Sequence, residues 1–257
     1  MTVLNERPRM LLGPQDPPPF EVVNESSDHP LLLVCEHAGK AIPQALNDLG
    51  IAERDRDSHV CWDIGAAAVT RALALTLGSP AVLQPYSRVV IDCNRPPDAV
   101  DAMPDDNHGV RVPGNRGLGD RDRAARVSEI FDPFQATVAH YLAQPRRRIV
   151  LSIHSFTPSL AGEPRPWHIG FLFRRDVQTS PLLARCIKEA HPDLNIGMNQ
   201  PYQIDDSSDW FVPHHGESSG LPHSLIEIRN DLIGDASGQR TWTDILANAI
   251  NRYLKEV

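Results

Sequence analysis

Four stretches of the 257-residue sequence place chemically capable side chains at the ends of apolar runs: Glu36-His37 after LLLVC, Asp92, Asn94 and Arg95 closing RVVIDC, His154-Ser155 after RIVLSI, and Glu227 with Arg229 inside HSLIEIRND. Imidazole and carboxylate groups around an open position suit zinc, which polarises a carbonyl and lowers the pKa of bound water towards 7. The chemistry these residue types point to is metal-assisted hydrolysis.

A single histidine is most often a surface residue or a hydrogen-bonded core residue, so His37 and His154 carry weight as a pair. Each directly follows a short apolar strand, and each precedes a small residue, Ala38 or Ser155, that leaves room for a ligand. Glu227 has two readings. It pairs with Arg229, two residues on along the same strand face, or it is tuned by desolvation as a general base that takes a proton from water and passes it to a leaving amine. Arg95, fixed by the prolines that follow, offers a planar fork for a substrate carboxylate, with Arg88 and Arg229 as further candidates. His59 lies four residues before Asp63 and reads as a cap or a solvated residue. His214 and His215, in a loop with Gly and Ser, are as readily solvated as substrate-facing. Ser155 is a poor nucleophile candidate, because no GxSxG elbow is present and adjacent strand residues diverge.

The elements that must position these groups are legible as periodicity. Strands are expected at Leu31–Cys35, 81–83, 88–93, 148–153, 169–173 and 224–228, and helices at 63–77, 121–143, 181–190 and 241–254, with Pro133 breaking or kinking the second helix. Residues 98–120, rich in Gly, Pro, Asp and Asn, read as a lid or binding loop. Strands alternating with helices, with neither internal repeat nor linker, predict one three-layer α/β/α domain over residues 29–257. Its sheet is mixed and mostly parallel, with ligands bound at the carboxyl edges of the strands. Residues 1–28, dense in proline, read as an extended arm along the surface.

Composition narrows the partners. A net charge of −8, with Lys and Arg dispersed, supplies no basic face for nucleic acid, and the Arg146-Arg147-Arg148 run reads as a solvated segment before a strand. Four widely spaced cysteines form no CxxC pair and read as buried thiols. With neither a membrane-length apolar run nor a signal-peptide pattern, a cytoplasmic location is expected. The sequence leaves the oligomeric state open.

Five blocks, LLLVCEHAGKAIP, HVCWDIGA, SRVVIDCNRPPD, LSIHSFTP and LIEIRNDLI, together resemble the N-formylglutamate amidohydrolase family, in order and spacing, from about residue 30 to 233. The family is similar to zinc carboxypeptidases, and Asp92-Cys93-Asn94-Arg95 resembles the segment with which those enzymes hold a substrate carboxylate. The resemblance implies one zinc per chain on His37 and His154, Glu227 as general base, Asn94 and Arg95 near the carboxylate, and a small N-acyl amino acid as substrate. Carboxypeptidases carry a glutamate three residues after the first histidine, where this chain has Lys40. The third ligand is therefore sought elsewhere, with Asp63 favoured over Glu36. Asp63 opens a helix able to dock beside the sheet edge, whereas Glu36 and His37 are adjacent and point apart; Glu36 then orients a ligand. The block Glu36-His37-Ala38-Gly39 stands where formylglutamate-hydrolysing members more often have proline, histidine, serine and glycine, which leaves the acyl group and side chain open. The alternative is a non-catalytic metal- or carboxylate-binding protein on the same fold, told apart by turnover on N-acyl amino acids.

Overall fold

The computed structural model describes residues 10–256. Its central sheet has seven strands: β1 (Glu21–Val23), β2 (Leu31–Cys35), β3 (Ala81–Leu83), β4 (Ile149–Phe156), β5 (Ile169–Leu172), β6 (Ile196–Met198) and β7 (His223–Arg229). Across the sheet the order is β1-β3-β2-β4-β7-β5-β6. The β3-β2-β4-β7 block is parallel, β1 caps one edge antiparallel to β3, and β5 with β6 runs antiparallel to β7 on the other side. The fold is therefore the mostly parallel mixed α/β sheet expected.

Both faces of β2 are buried, which is why its sequence is a continuous apolar run. Leu31, Leu33 and Cys35 face a core closed by α1 (Ala66–Leu77), α4 (Thr179–Ala190) and α5 (Ala236–Glu256). Leu32 and Val34 face a second core under α3 (Asp132–Leu142), which supplies Phe134, Val138 and Tyr141. α3 continues from α2 (Asp120–Arg126) through a π-helical turn at Val127–Phe131. Pro133 follows that turn inside the continuous helix, where the widened backbone accommodates its ring and missing N–H, so the expected break takes the form of a widened turn.

Three expectations are corrected. RVVIDC is not a strand: residues 88–93 form turns whose apolar side chains fill the second core. The sheet position beside β3 is taken instead by β1, contributed by the proline-rich arm, which is anchored by Arg71 to Glu21 at 2.7 and 2.6 Å and by Gln84 to the Pro19 carbonyl. The first nine residues of that arm lie outside the described residues. Arg147 is buried, donating to the main-chain carbonyls of Ser27 and His29, so only its neighbours Arg146 and Arg148 are solvated. Finally, β4 runs on to Phe156, which puts His154 inside the strand rather than after it.

Gly170 of β5 lies directly opposite Glu227 of β7. A Cβ at Gly170 would come within 1.8 Å of the Gln200 carbonyl oxygen, so glycine is what lets the 200–203 segment lie against the strand. Gly170→Ala is expected to cost about 1–3 kcal/mol, read as a lower denaturation midpoint with an unchanged m-value.

Candidate active site

Period-two alternation fixes the floor of the site. In the β2–β4 register Val34 faces Ser152, and in the β4–β7 register His154 faces Glu227. One step beyond β2, Glu36 continues that row, so Glu36, His154 and Glu227 stand side by side across three parallel strands. His37 follows in the turn after β2, and Asp63 stands in the turn that leads into α1. Its main-chain N–H donates to the His37 carbonyl at 3.0 Å, which ties the two turns together.

The three groups converge through one atom each. His154 Nδ1 lies 2.9 Å from Asp63 Oδ2 and 3.1 Å from His37 Nδ1, and His37 Nδ1 lies 3.4 Å from Asp63 Oδ2. All three residues are buried. Ligands at zinc–nitrogen distances in a tetrahedron stand about 3.3 Å apart, close to these separations. The outer nitrogens explain why the inner ones are free to bind. His37 Nε2–H donates to Asp92 Oδ1 at 2.7 Å, and His154 Nε2–H donates to Glu36 Oε2 at 2.9 Å, which turns each Nδ1 lone pair inward. Ser152 donates to the same Glu36 oxygen. Two Nδ1 atoms 3.1 Å apart cannot both carry protons, and a cation relieves that contact.

Burial opposes charge on His154, but Asp63 at one nitrogen and Glu36 at the other outweigh it and hold the imidazole well above its usual pKa. Asp63 is held far below the carboxylate range, because the two imidazoles overcome its burial. A proton favoured on His154 in this way has to leave when a metal takes its Nδ1. Apparent affinity should fall about tenfold per pH unit per proton displaced, and calorimetry of zinc uptake in two buffers of different ionisation enthalpy should show proton release.

Glu227 is buried, and its Oε2 has no hydrogen-bond partner among the described residues. Burial raises its pKa to about 7. The anticipated pairing with Arg229 does not occur. Arg229 donates instead to Asp231 at 2.8 Å and is not among the residues lining the cavity, a correction to its placement with the substrate-binding arginines.

That cavity, of about 230 Å³, opens above the floor. Arg88 and Arg95 both border it but are committed within the chain: Arg88 to Asp92 at 2.7 Å and Asp63 at 3.5 Å, Arg95 to Asp101 at 3.1 Å and to the Ser208 main-chain carbonyl at 2.9 Å. Asn94 is locked as well. Its Oδ1 accepts the main-chain N–H groups of Trp210 and Phe211, and its Nδ2 donates to Asp209, whose other oxygen accepts the Val212 N–H. Asn94 thus closes the start of a π-helix, Phe211–Glu217, that the sequence reads as a loop. In that helix His215 is buried and donates to Gln135 at 2.6 Å, and burial lowers its pKa to about 4, so it stays neutral. His214 stacks on Trp210 with ring centroids 3.7 Å apart.

In the sequence His59 reads as a cap or a solvated residue, and His108, Tyr202 and Arg165 do not stand out. His59 and His108 line the mouth of the cavity, with ring centroids 6.4 Å apart. His108 occupies a left-handed position, φ 51°, followed by Gly109 at φ 85°, in the turn of a hairpin (Asp106–Asn107 with Val110–Arg111) inside the stretch read as a lid. The glycine-rich 98–120 composition was the available signal for His108.

The family model described as N-formylglutamate amidohydrolase matches residues 29–234. The chain belongs to that family. It is an amidohydrolase, and its substrate is accordingly a small molecule. A gene product of Agrobacterium tumefaciens with a known crystal structure is 34% identical, covering 96% of this chain and 98% of its own, with a TM-score of 0.91. An N-formylglutamate amidohydrolase from Ralstonia eutropha is 20% identical, covering 93% of this chain and 98% of its own, with a TM-score of 0.61, and shares the fold. No curated protein matches significantly. Among the described residues no helix of this amidohydrolase is long and apolar enough to cross a membrane.

Proposed function

We propose that the chain hydrolyses the amide bond of an N-acyl amino acid, with N-formylglutamate the first candidate, using a zinc ion held by His37, Asp63 and His154. The observation that carries this reading is the inward convergence of two imidazole Nδ1 atoms and one carboxylate oxygen, each imidazole backed by its own carboxylate. Two nitrogens and one oxygen around an open side are the donor set of a hydrolytic zinc site. When bound, zinc supplies Lewis acidity that polarises a carbonyl and acidifies water.

The residues then divide the reaction. Glu227, beside His154 and with its Oε2 unpartnered among the described residues, accepts a proton from water as the water oxygen bonds to the acyl carbon. When the carbon–nitrogen bond breaks, the same carboxyl returns that proton to the departing amine, giving a carboxylic acid and a free amino acid. Asp92 and Glu36 fix the tautomers of His37 and His154. Arg88 and Arg95 hold Asp92 in place behind His37. The direct test is turnover of N-formyl, N-acetyl and longer N-acyl amino acids by zinc-loaded protein. Release of free amino acid supports the reading, and no release from any member of the panel overturns it.

A further inference from the structure

Arg165 is a buried arginine that has no acidic partner among the described residues, unlike Arg88 and Arg95 in the same region. The other two buried arginines, Arg126 and Arg147, donate to main-chain carbonyls and do not line the cavity. Arg165 does not line the cavity itself; it packs behind the wall against two aromatic residues that do, its guanidinium carbon 4.8 Å from the Tyr202 ring centroid and 5.9 Å from that of Phe156. Its Nη1 donates to the Tyr202 hydroxyl at 3.0 Å and, at 3.4 Å, to Thr157 Oγ1.

The direction of that bond is fixed, since a guanidinium has donors only. Tyr202 must accept, and its own proton is left to point elsewhere. Among the described residues the hydroxyl has no other hydrogen-bond partner, and Tyr202 lines the cavity. The Arg165 guanidinium behind the phenol has no acidic partner among the described residues, so its charge is available to an anion that the hydroxyl proton touches. Tyr202 is 41% exposed, which puts it at the rim rather than at the buried floor. The segment carrying it reaches this position over Gly170, opposite Glu227. The hydroxyl stands within electrostatic reach of Glu227 across the same cavity, so a group bound there belongs to the molecule on which Glu227 acts.

We infer that Tyr202, with Arg165 behind it, is the receptor for the substrate's free carboxylate: the phenol proton touches the carboxylate and the guanidinium supplies the charge. This rests on the reading of the substrate as an N-acyl amino acid. Tyr202 is the substrate-binding group, and Arg165 is a positioning residue acting through it.

The test uses zinc-loaded protein, with Tyr202→Phe and Arg165→Met, and compares N-formylglutamate with the same compound bearing carboxamides in place of its carboxylates. A charge-assisted hydrogen bond predicts a rise in KM of about 30-fold for the acid. The expected pattern is kcat changed less than about threefold and the carboxamide kinetics unmoved. Equal losses on acid and carboxamide, or a loss confined to kcat, overturn the inference. Tyr202→Phe removes only an oxygen from a partly exposed side chain, so it decides the matter even where Arg165→Met fails to fold. Calorimetric titration with glutamate separates this inference from the broader reading. Wild-type protein that turns over nothing, yet binds glutamate in a manner lost in Tyr202→Phe, retains the receptor and refutes the hydrolase. Glutamate binding that is absent in the wild type, or unchanged in the variant, refutes the receptor.

Discussion

Replacing Glu227 by glutamine is expected to lower kcat by about 10³-fold while KM and metal content stay within a few-fold of wild type. Glutamine keeps the size of the side chain and its place opposite His154 in the strand register, but an amide does not take a proton from water. The pH profile adds a second signature. Burial places the Glu227 pKa at about 7, and a cation bound next to it can only move that value down. The carboxyl must be ionised to act as base, so kcat should rise with pH along an acid limb centred at or below about pH 7, and the limb should vanish from the residual activity of Glu227→Gln. Steady-state rates between about pH 5 and 9, with metal analysis of the same samples, check both. Retained turnover removes Glu227 as the base.

The double variant His37→Ala, His154→Ala is expected to lose the metal altogether, from about one zinc per chain in the wild type. Asp63 would remain as a lone carboxylate, and the partners that oriented the imidazoles, Asp92 and Glu36, would face a void. Thermal denaturation reports the loss independently of turnover: with zinc at a thousandfold excess over its dissociation constant the wild type gains about 4 kcal/mol, and the variant gains nothing. Elemental analysis that finds unchanged zinc in the variant sinks the proposed site.

His37 and His154 were readable because the parallel block of the sheet is buried on both faces. Its strands are therefore solid apolar runs, and a histidine at the end of such a run is conspicuous. Asp63 was readable only as a favoured candidate, since its meeting with the histidines depends on a turn held by the His37 carbonyl. RVVIDC misled for a physical reason: strand propensity is local, whereas the sheet position it would have filled was taken by Glu21–Val23 of a segment whose prolines argue against regular structure. The π-helix at Phe211–Glu217 carries no 3.6-residue stripe and is closed by Asn94, more than a hundred residues away. Arg165 and Tyr202 are 37 residues apart and have no local signature. Nor does the sequence show which arginines are already paired with acids and which is not.

The antiparallel turn of the sheet at β5 has an evolutionary reading. The proton-handling floor is built on β2, β4 and β7, while the outer wall is carried by the segments around β5 and β6 and leans on the floor across Gly170. Selection can therefore remodel residues 157–165 and 199–208 without disturbing the row that runs from Glu36 to Glu227. Substitutions in those segments are expected to change which substrate is taken before they change the chemistry.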